Sequence, residues 1–489
     1  MENIKKYIYL AIGLITIIII TIFLIMPNFQ KEEFSQDVID DIIEDVATLK
    51  EQTTNEEVSD DEATDENPAF IFLNDETFVD KKTIEFFVGG VPSSNAVIII
   101  EDLNNIAVKK IKYSELDHLR NEVVPNEGLF CTTNNSKICE NLKKYRIPFE
   151  QTGNFLISFQ NNKSKSFFLS RKSINPEPEC RVGLVFPNFT WQAYNPWGEV
   201  NFYAYKDQEQ QVISTLRPLD ESLLTTNYHS SPYRSQLFLS HLKTNGICAE
   251  PLLNSDLHET DDWENLDLMV LTVHDEYWTS DLRNKLEKWV RRGGKLLIIS
   301  GNTAWTKVTY KNNKLTYVRD FILLNQPLET TTGLSFRYAG YDLKTAFTAE
   351  EAAELGVSQE LYEKSSGIKV LKSEHPIFES TGLKNGDFFG VKSRVIWQEM
   401  DGIPLNVDND TLKPETAENF PPNIEVLGSA WGGNPRIKTI FYYGNIVFFN
   451  KGMGKVLNLG SIGWSESLRL EDEIPERIII NSVNYLLKN

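Results

Sequence analysis

The hydrophobic rhythm of the chain changes from segment to segment. Tyr7 to Met26 is an uncharged run of 20 residues dominated by Ile and Leu. That length matches a hydrocarbon core of ~30 Å. Lys5 and Lys6 precede it, and Glu32 and Glu33 follow. The positive-inside rule therefore predicts residues 1–30 as a transmembrane anchor, single-pass, with the N-terminus cytoplasmic and the bulk of the chain extracytoplasmic. A cleaved signal peptide is the rival. The run is too long for one, and no A-x-A-like site follows Met26-Pro27-Asn28-Phe29. In residues 31–68 the pattern fades. Ile39, Ile42, Val46 and Leu49 keep a 3-4-3 spacing, which is too short for a stable coiled coil. From Glu51 to Asn67 the chain is acidic and Thr-rich, which predicts a solvated, self-repelling tether.

Residues 69–175 switch to short β-branched and aromatic runs. Thr83–Val88 and Ala96–Glu101 flank a Gly-Gly-Val-Pro-Ser-Ser turn, and Phe155–Phe159 and Ser166–Leu169 repeat the pattern. This predicts a small β-sandwich of immunoglobulin-like type. Asn175-Pro176-Glu177-Pro178-Glu179 reads as a stiff linker. From residue 181 to 489 apolar strands alternate with amphipathic helices. Arg181–Phe186, Leu266–Val273, Lys295–Ile299 and Gly454–Leu459 are continuous apolar runs, as strands buried on both faces should be. Gln236–Asn245, Asp281–Arg292 and Pro475–Leu487 have helical spacing, the first two stopped by Gly246 and Gly293-Gly294. The prediction is an α/β domain with a mostly parallel sheet and helices on both faces.

Charge sharpens this division. The formal net charge is −20, of which −13 falls in residues 31–68 and only −8 in residues 69–489. No basic patch exists for a phosphate backbone, so nucleic acid is excluded as a partner. Hydrophobic residues at 41% exclude global disorder. Four cysteines include no CxxC pair. Cys131 and Cys139 are either a small-loop disulfide or two unpaired thiols; Cys248 reads as structural, in a buried strand.

In parallel sheets the chemistry gathers at the carboxyl ends of the strands. Here those ends carry Thr190-Trp191-Gln192-Ala193-Tyr194-Asn195-Pro196-Trp197-Gly198, His274-Asp275-Glu276-Tyr277-Trp278 and Ser300-Gly301-Asn302. Glu276 can be a metal ligand or general base, His274 a ligand or proton shuttle, Tyr194 a phenolate ligand, and Asn302 an oxyanion donor. The bland alternative is that the acids cap the next helix and the aromatics pack. No G-x-S-x-G, H-E-x-x-H, G-x-G-x-x-G or P-loop occurs, which disfavours covalent Ser or Cys catalysis and nucleotide cofactors.

At these residues the chain resembles the C-terminal domain of the N,N-dimethylformamidase large (β) subunit family. Asp256-Leu257-His258, His375-Pro376-Ile377-Phe378, Thr381-Gly382-Leu383, Glu399-Met400-Asp401-Gly402 and Gly460-Ser461-Ile462-Gly463-Trp464 extend the match in order. The resemblance implies a fold similar to class I glutamine amidotransferases. It also implies hydrolysis of an amide C–N bond at a mononuclear iron held by two tyrosines and a glutamate. Glu276 matches the glutamate and Tyr194 one tyrosine. The second falls in a strand where this chain has Phe155, so either another residue, His274 or Tyr233, completes the set, or the metal is lost. Asn302 and Glu399 match polar pocket residues, with substrate orientation and proton transfer as their implied roles. Two functions follow as expectations: a membrane-anchored hydrolase of a small-molecule amide, or a non-catalytic surface-anchored binding or scaffold protein that kept the fold. Oligomeric state stays open.

Overall fold

Alternation of apolar and polar residues along short strands builds the N-terminal part of the folded chain. Phe70–Leu73, Thr83–Gly89, Leu142–Pro148 and Arg120–Val124 pair antiparallel in one sheet. Thr77–Val79, Ser166–Arg171, Gly153–Phe159, Val97–Asp102 and Ala107–Lys112 form a second. Phe72, Phe86, Tyr145, Ile98, Ile157 and Phe168 belong to one buried core shared by the two sheets. The structure, a computed structural model, describes residues 69–488 except 80, 91, 94, 117–119, 125–141, 172–179, 204–210, 409–410 and 415–418.

A large mixed sheet follows. The strands along its main path are β1 (Val182–Phe186), β2 (Ala249–Leu253), β3 (Leu268–Val273), β4 (Lys295–Ser300), β5 (Gly340–Asp342), β6 (Glu399–Gly402), β7 (Glu425–Asn434), β8 (Thr439–Lys451) and β9 (Gly454–Asn458), and two short strands, Ile368–Val370 and Phe388–Phe389, attach beside β7. The spatial order is β2-β1-β3-β4-β9-β8-β7-β5-β6. From β2 to β9 every pairing is parallel; from β9 to β6 every pairing is antiparallel. The parallel half is buried on both faces because its side chains alternate between two cores. Val182, Leu184, Leu268 and Val270 pack with Phe238 and Leu242 of helix α2 (Pro232–Thr244) and with Ile478 and Val483 of the C-terminal helix Glu473–Lys488. Val185, Met269, Leu271 and Leu296 pack on the other face with Leu282, Leu286 and Val290 of helix α3 (Ser280–Arg291). Each such side chain contributes roughly 1.5–3 kcal/mol by leaving water. A disulfide between Cys180 and Cys248 joins the chain just before β1 to the chain just before β2.

This corrects the expected fold class. The sheet is not mostly parallel and glutamine amidotransferase-like, because β5 to β8 add an antiparallel half as broad as the parallel one, beside further separate sheets. The expected single-pass membrane topology is withdrawn as well. Among the described residues no helix is long and apolar enough to cross a membrane. The anchor at 7–26, the tether at 31–68, the linker at 175–179 and the pair Cys131 and Cys139 lie outside the described residues. By their contacts, residues 67–489 make one unit.

Candidate functional site

The parallel strands deliver three of the candidate groups. β1 leads through Pro187 into helix α1 (Asn188–Tyr194), which presents Tyr194 in its last turn. β3 ends at Val273, whose φ of 55° is left-handed, a costly conformation for a β-branched residue, and the chain turns there into His274-Asp275-Glu276. β4 ends at Ser300 and turns through Gly301 into Asn302 at φ 51°. Thr190 ties two of these segments together: its hydroxyl accepts from the backbone N–H of Glu276 at 3.0 Å and of Tyr277 at 3.3 Å. The antiparallel half delivers Glu399 at the start of β6, beside Gln398 at φ 51°. The two halves touch closely there, since a Cβ on Gly301 would come within 2.3 Å of the Glu399 carbonyl oxygen.

The five candidates meet in one cluster. The Tyr194 hydroxyl donates to Glu276 Oε2 at 2.6 Å, and the Thr306 hydroxyl reaches Glu276 Oε1 at 3.1 Å. His274 Nε2 lies 2.8 Å from Glu399 Oε2 and 3.5 Å from Glu276 Oε2, while Nδ1 meets the Ser230 hydroxyl at 2.9 Å. Asn302 Nδ2 donates to Glu399 Oε2 at 3.2 Å. His274 and Glu276 are fully buried.

Burial and neighbours set the protonation states. Burial works against a charged His274, but Glu399, with Glu276 and Asp275 behind it, outweighs this and raises its pKa. Burial pushes the Glu399 carboxyl up, and His274 more than offsets it, leaving the acid below its ordinary value. Tyr194 is held well above the ordinary phenol value by burial and then by Glu276, so without a cation it stays a hydrogen-bond donor. His229, 5.0 Å from His274 between ring centroids, is pushed down to about 3, mostly by burial, and is neutral. Behind the cluster, burial raises Asp275 and Asp401 to about 7 each.

A cavity of about 440 Å³ opens onto the cluster. Tyr194 and Glu399 reach its wall, together with Tyr203, Tyr228, His229, Tyr341 and Gln398. Sequence reasoning missed these last five. Tyr228 and His229 sit in a loop before α2, and Tyr341 in the three-residue strand β5; neither carries a periodic pattern. Thr306 and Ser230 were missed for the same reason.

The site also decides which residues are absent from it. Phe155 packs in the sandwich core against Phe149 and Phe168, with ring centroids 4.9 and 5.4 Å away. The Tyr233 hydroxyl donates to Asn105 Oδ1 at 2.9 Å and takes no part in the cluster. Of the two alternatives for a third donor, only His274 stands beside Glu276. Its Nε2 is buried 2.8 Å from Glu399 Oε2 and 3.5 Å from Glu276 Oε2, so serving as a ligand would require it to give up its proton and its pairing with Glu399. One phenol, one carboxylate and this imidazole nitrogen are hard or borderline donors that suit a single cation. Elsewhere among the described residues, Cys180, Cys248 and Glu250 come together, but their sulfurs are spent in the disulfide.

Fold and site together define a protein of mixed α and β structure whose clustered phenol, imidazole and carboxylates adjoin a cavity lined in part by Tyr194 and Glu399. The chain belongs to the N,N-dimethylformamidase beta subunit-like family, whose C-terminal domain matches residues 150–477. Metal binding is a general property of that family. No curated protein matches the chain. Among solved structures, a cytoplasmic protein of Salmonella typhimurium LT2 is 14% identical, over 51% of this chain and 86% of that one, with a TM-score of 0.28. A ThuA-like protein of Bacteroides uniformis is 11% identical, over 52% and 82%, with a TM-score of 0.29. The β-galactosidase of a Bacillus circulans strain is 9% identical, over 63% and 31%, with a TM-score of 0.28. Likenesses this weak carry no argument.

Proposed function

We propose that the chain is a hydrolase of an amide C–N bond. The supporting observation is the convergence of Tyr194, Glu276, His274, Glu399 and Asn302 in one cluster, of which Tyr194 and Glu399 reach the cavity wall. Tyr194, Glu276 and His274 would hold a single cation, an iron by the family resemblance, which as a Lewis acid polarises a carbonyl and lowers the pKa of water. Seating a cation there requires Tyr194 to give up its proton, so binding strengthens as pH rises.

The remaining roles belong to side chains. Glu399 reaches the cavity wall and, held as a carboxylate beside His274, would accept a proton from the attacking water and pass it to the departing amine nitrogen. Asn302 orients the Glu399 carboxylate through Nδ2. Thr306 fixes the other oxygen of Glu276 and so sets the direction of its Oε2. The overall reaction adds water across the C–N bond: hydroxyl to the acyl carbon, hydrogen to nitrogen, giving an acid and an amine.

Amine release from a panel of small amides tests this reading. The wild type should turn over at least one of them, and Glu276→Gln should lose roughly a hundredfold or more. A wild type inactive on every amide, metal-loaded or not, would favour the binding-protein alternative.

A further inference from the structure

The cavity itself restricts what the substrate can be. At about 440 Å³ it falls in the range of sites for molecules much larger than a formamide, roughly 300–1,000 Å³. Four tyrosines, Tyr194, Tyr203, Tyr228 and Tyr341, line it. Among the described lining residues there is no lysine or arginine, so an anionic group would enter without a partner. Among the described lining residues Glu399 is the one carboxylate, and it is already paired with His274 at 2.8 Å, so an ammonium group would meet tyrosine faces without a free carboxylate. A charged group thus finds no unpaired counter-charge among the described lining residues.

What remains is neutral, and the walls specify more than that. A plain hydrocarbon ring would cover the Gln398 amide and the remaining acceptor lone pairs of Ser222 and Thr345, whose hydroxyls donate to Asp220 and Asp342, with nothing to offer them. A ring with an apolar C–H face and hydroxyls around its edge satisfies both kinds of wall. It lays its face on a tyrosine ring and directs its edge to the polar groups. We infer that this cavity takes an N-acylated amino sugar, with the amide at the Tyr194–Glu399 end and the sugar ring against the other tyrosines. The inference rests on the amide-hydrolase reading for the chemistry, though the binding it predicts does not require turnover. The balanced reaction would release a carboxylic acid and the free amino sugar, with water as the only co-reactant.

Calorimetric binding to the full-length protein tests it, with N-acetylglucosamine, glucosamine and N-benzylacetamide as probes. N-acetylglucosamine should bind saturably and at least tenfold more tightly than either of the others. Tyr341→Leu should weaken it by roughly tenfold, whereas Tyr341→Phe, which keeps the ring, should stay within about threefold. N-benzylacetamide binding as well as the sugar amide, or no saturable sugar binding, would overturn the inference. Acetate release is followed in parallel. Sugar binding with no turnover of any amide contradicts the hydrolase and supports the sugar site; turnover of N-benzylacetamide without sugar binding does the reverse.

Discussion

The parallel and antiparallel halves of the large sheet divide the work of the site. The parallel half supplies every group of the proposed cation site: Tyr194 after β1, His274 and Glu276 after β3. Its strands are fully buried, and its donors emerge where the backbone bends sharply at their ends. The antiparallel half supplies Glu399, Gln398 and Tyr341 to a cavity wall that also includes Tyr194, Tyr203, Tyr228 and His229 from the segment following β1. On the proposed function, the parallel half would hold the cation, while the antiparallel half would supply the proton-transfer group Glu399 and part of the substrate wall. Substitutions around the cation site should change turnover, and those at Gln398 and Tyr341 should change binding.

The largest expected effect is that of Glu276→Gln on turnover, roughly a hundredfold or more, with substrate binding little altered; amine release and calorimetry measure the two. If binding fell as far as turnover, the division between the halves would fail. Next comes Arg217, buried among backbone carbonyls only. Its five N–H groups reach the carbonyls of Gln192, Asn195, Trp197, Val200 and Ser214 at 2.6 to 3.4 Å. Two of these belong to the end of α1, where Tyr194 sits. Arg217→Met strands those carbonyls and should cost about 3 kcal/mol in a denaturant melt. Turnover should fall with it, because Tyr194 loses its support.

The seam between the halves is breakable too. Gly301→Ala drives a methyl group against the Glu399 carbonyl oxygen and should cost about 1–3 kcal/mol. It should also weaken substrate binding, since Glu399 moves. An alanine variant with wild-type stability would show that the halves do not meet as described.

Much of the parallel half is legible in the sequence, and little of the antiparallel half is. Leu268–Val273 and Lys295–Ser300 are continuous apolar runs because helices cover both faces. The groups after such a strand can be named from the sequence alone, and His274, Glu276 and Asn302 were. β7 reads Glu-Val-Leu-Gly-Ser-Ala-Trp-Gly-Gly-Asn, with glycines and a register shift at Val426, Gly428 and Ser429, so no simple period marks it. A mostly parallel sheet was the natural reading once β7 and β8 were invisible. Glu399 was found only through the family motif. Phe155 shows the opposite limit: a motif placed it near the metal, and packing places it in a hydrophobic core.

A pH-dependent effect lies where the sandwich meets helix α1. Glu76 is buried where Asn188 Nδ2 donates to it at 3.0 Å, and burial raises its pKa to about 8. A carboxyl raised on folding favours the protonated state. Its contribution to stability is therefore full below about pH 4.5 and is lost as pH rises towards 8. Glu76→Gln removes that slope. Thermal melts should show the variant gaining on the wild type as pH increases, with no divergence at pH 4.5. A parallel pH dependence in both proteins would mean Glu76 is charged throughout.

The central claim is that Tyr194, Glu276 and His274 assemble one cation site on the parallel half. Elemental analysis of the full-length protein after iron loading, beside Glu276→Ala, tests it most directly. The account predicts about one iron per chain in the wild type, absent from the variant. No retained metal in the wild type, or equal retention in both, would contradict it.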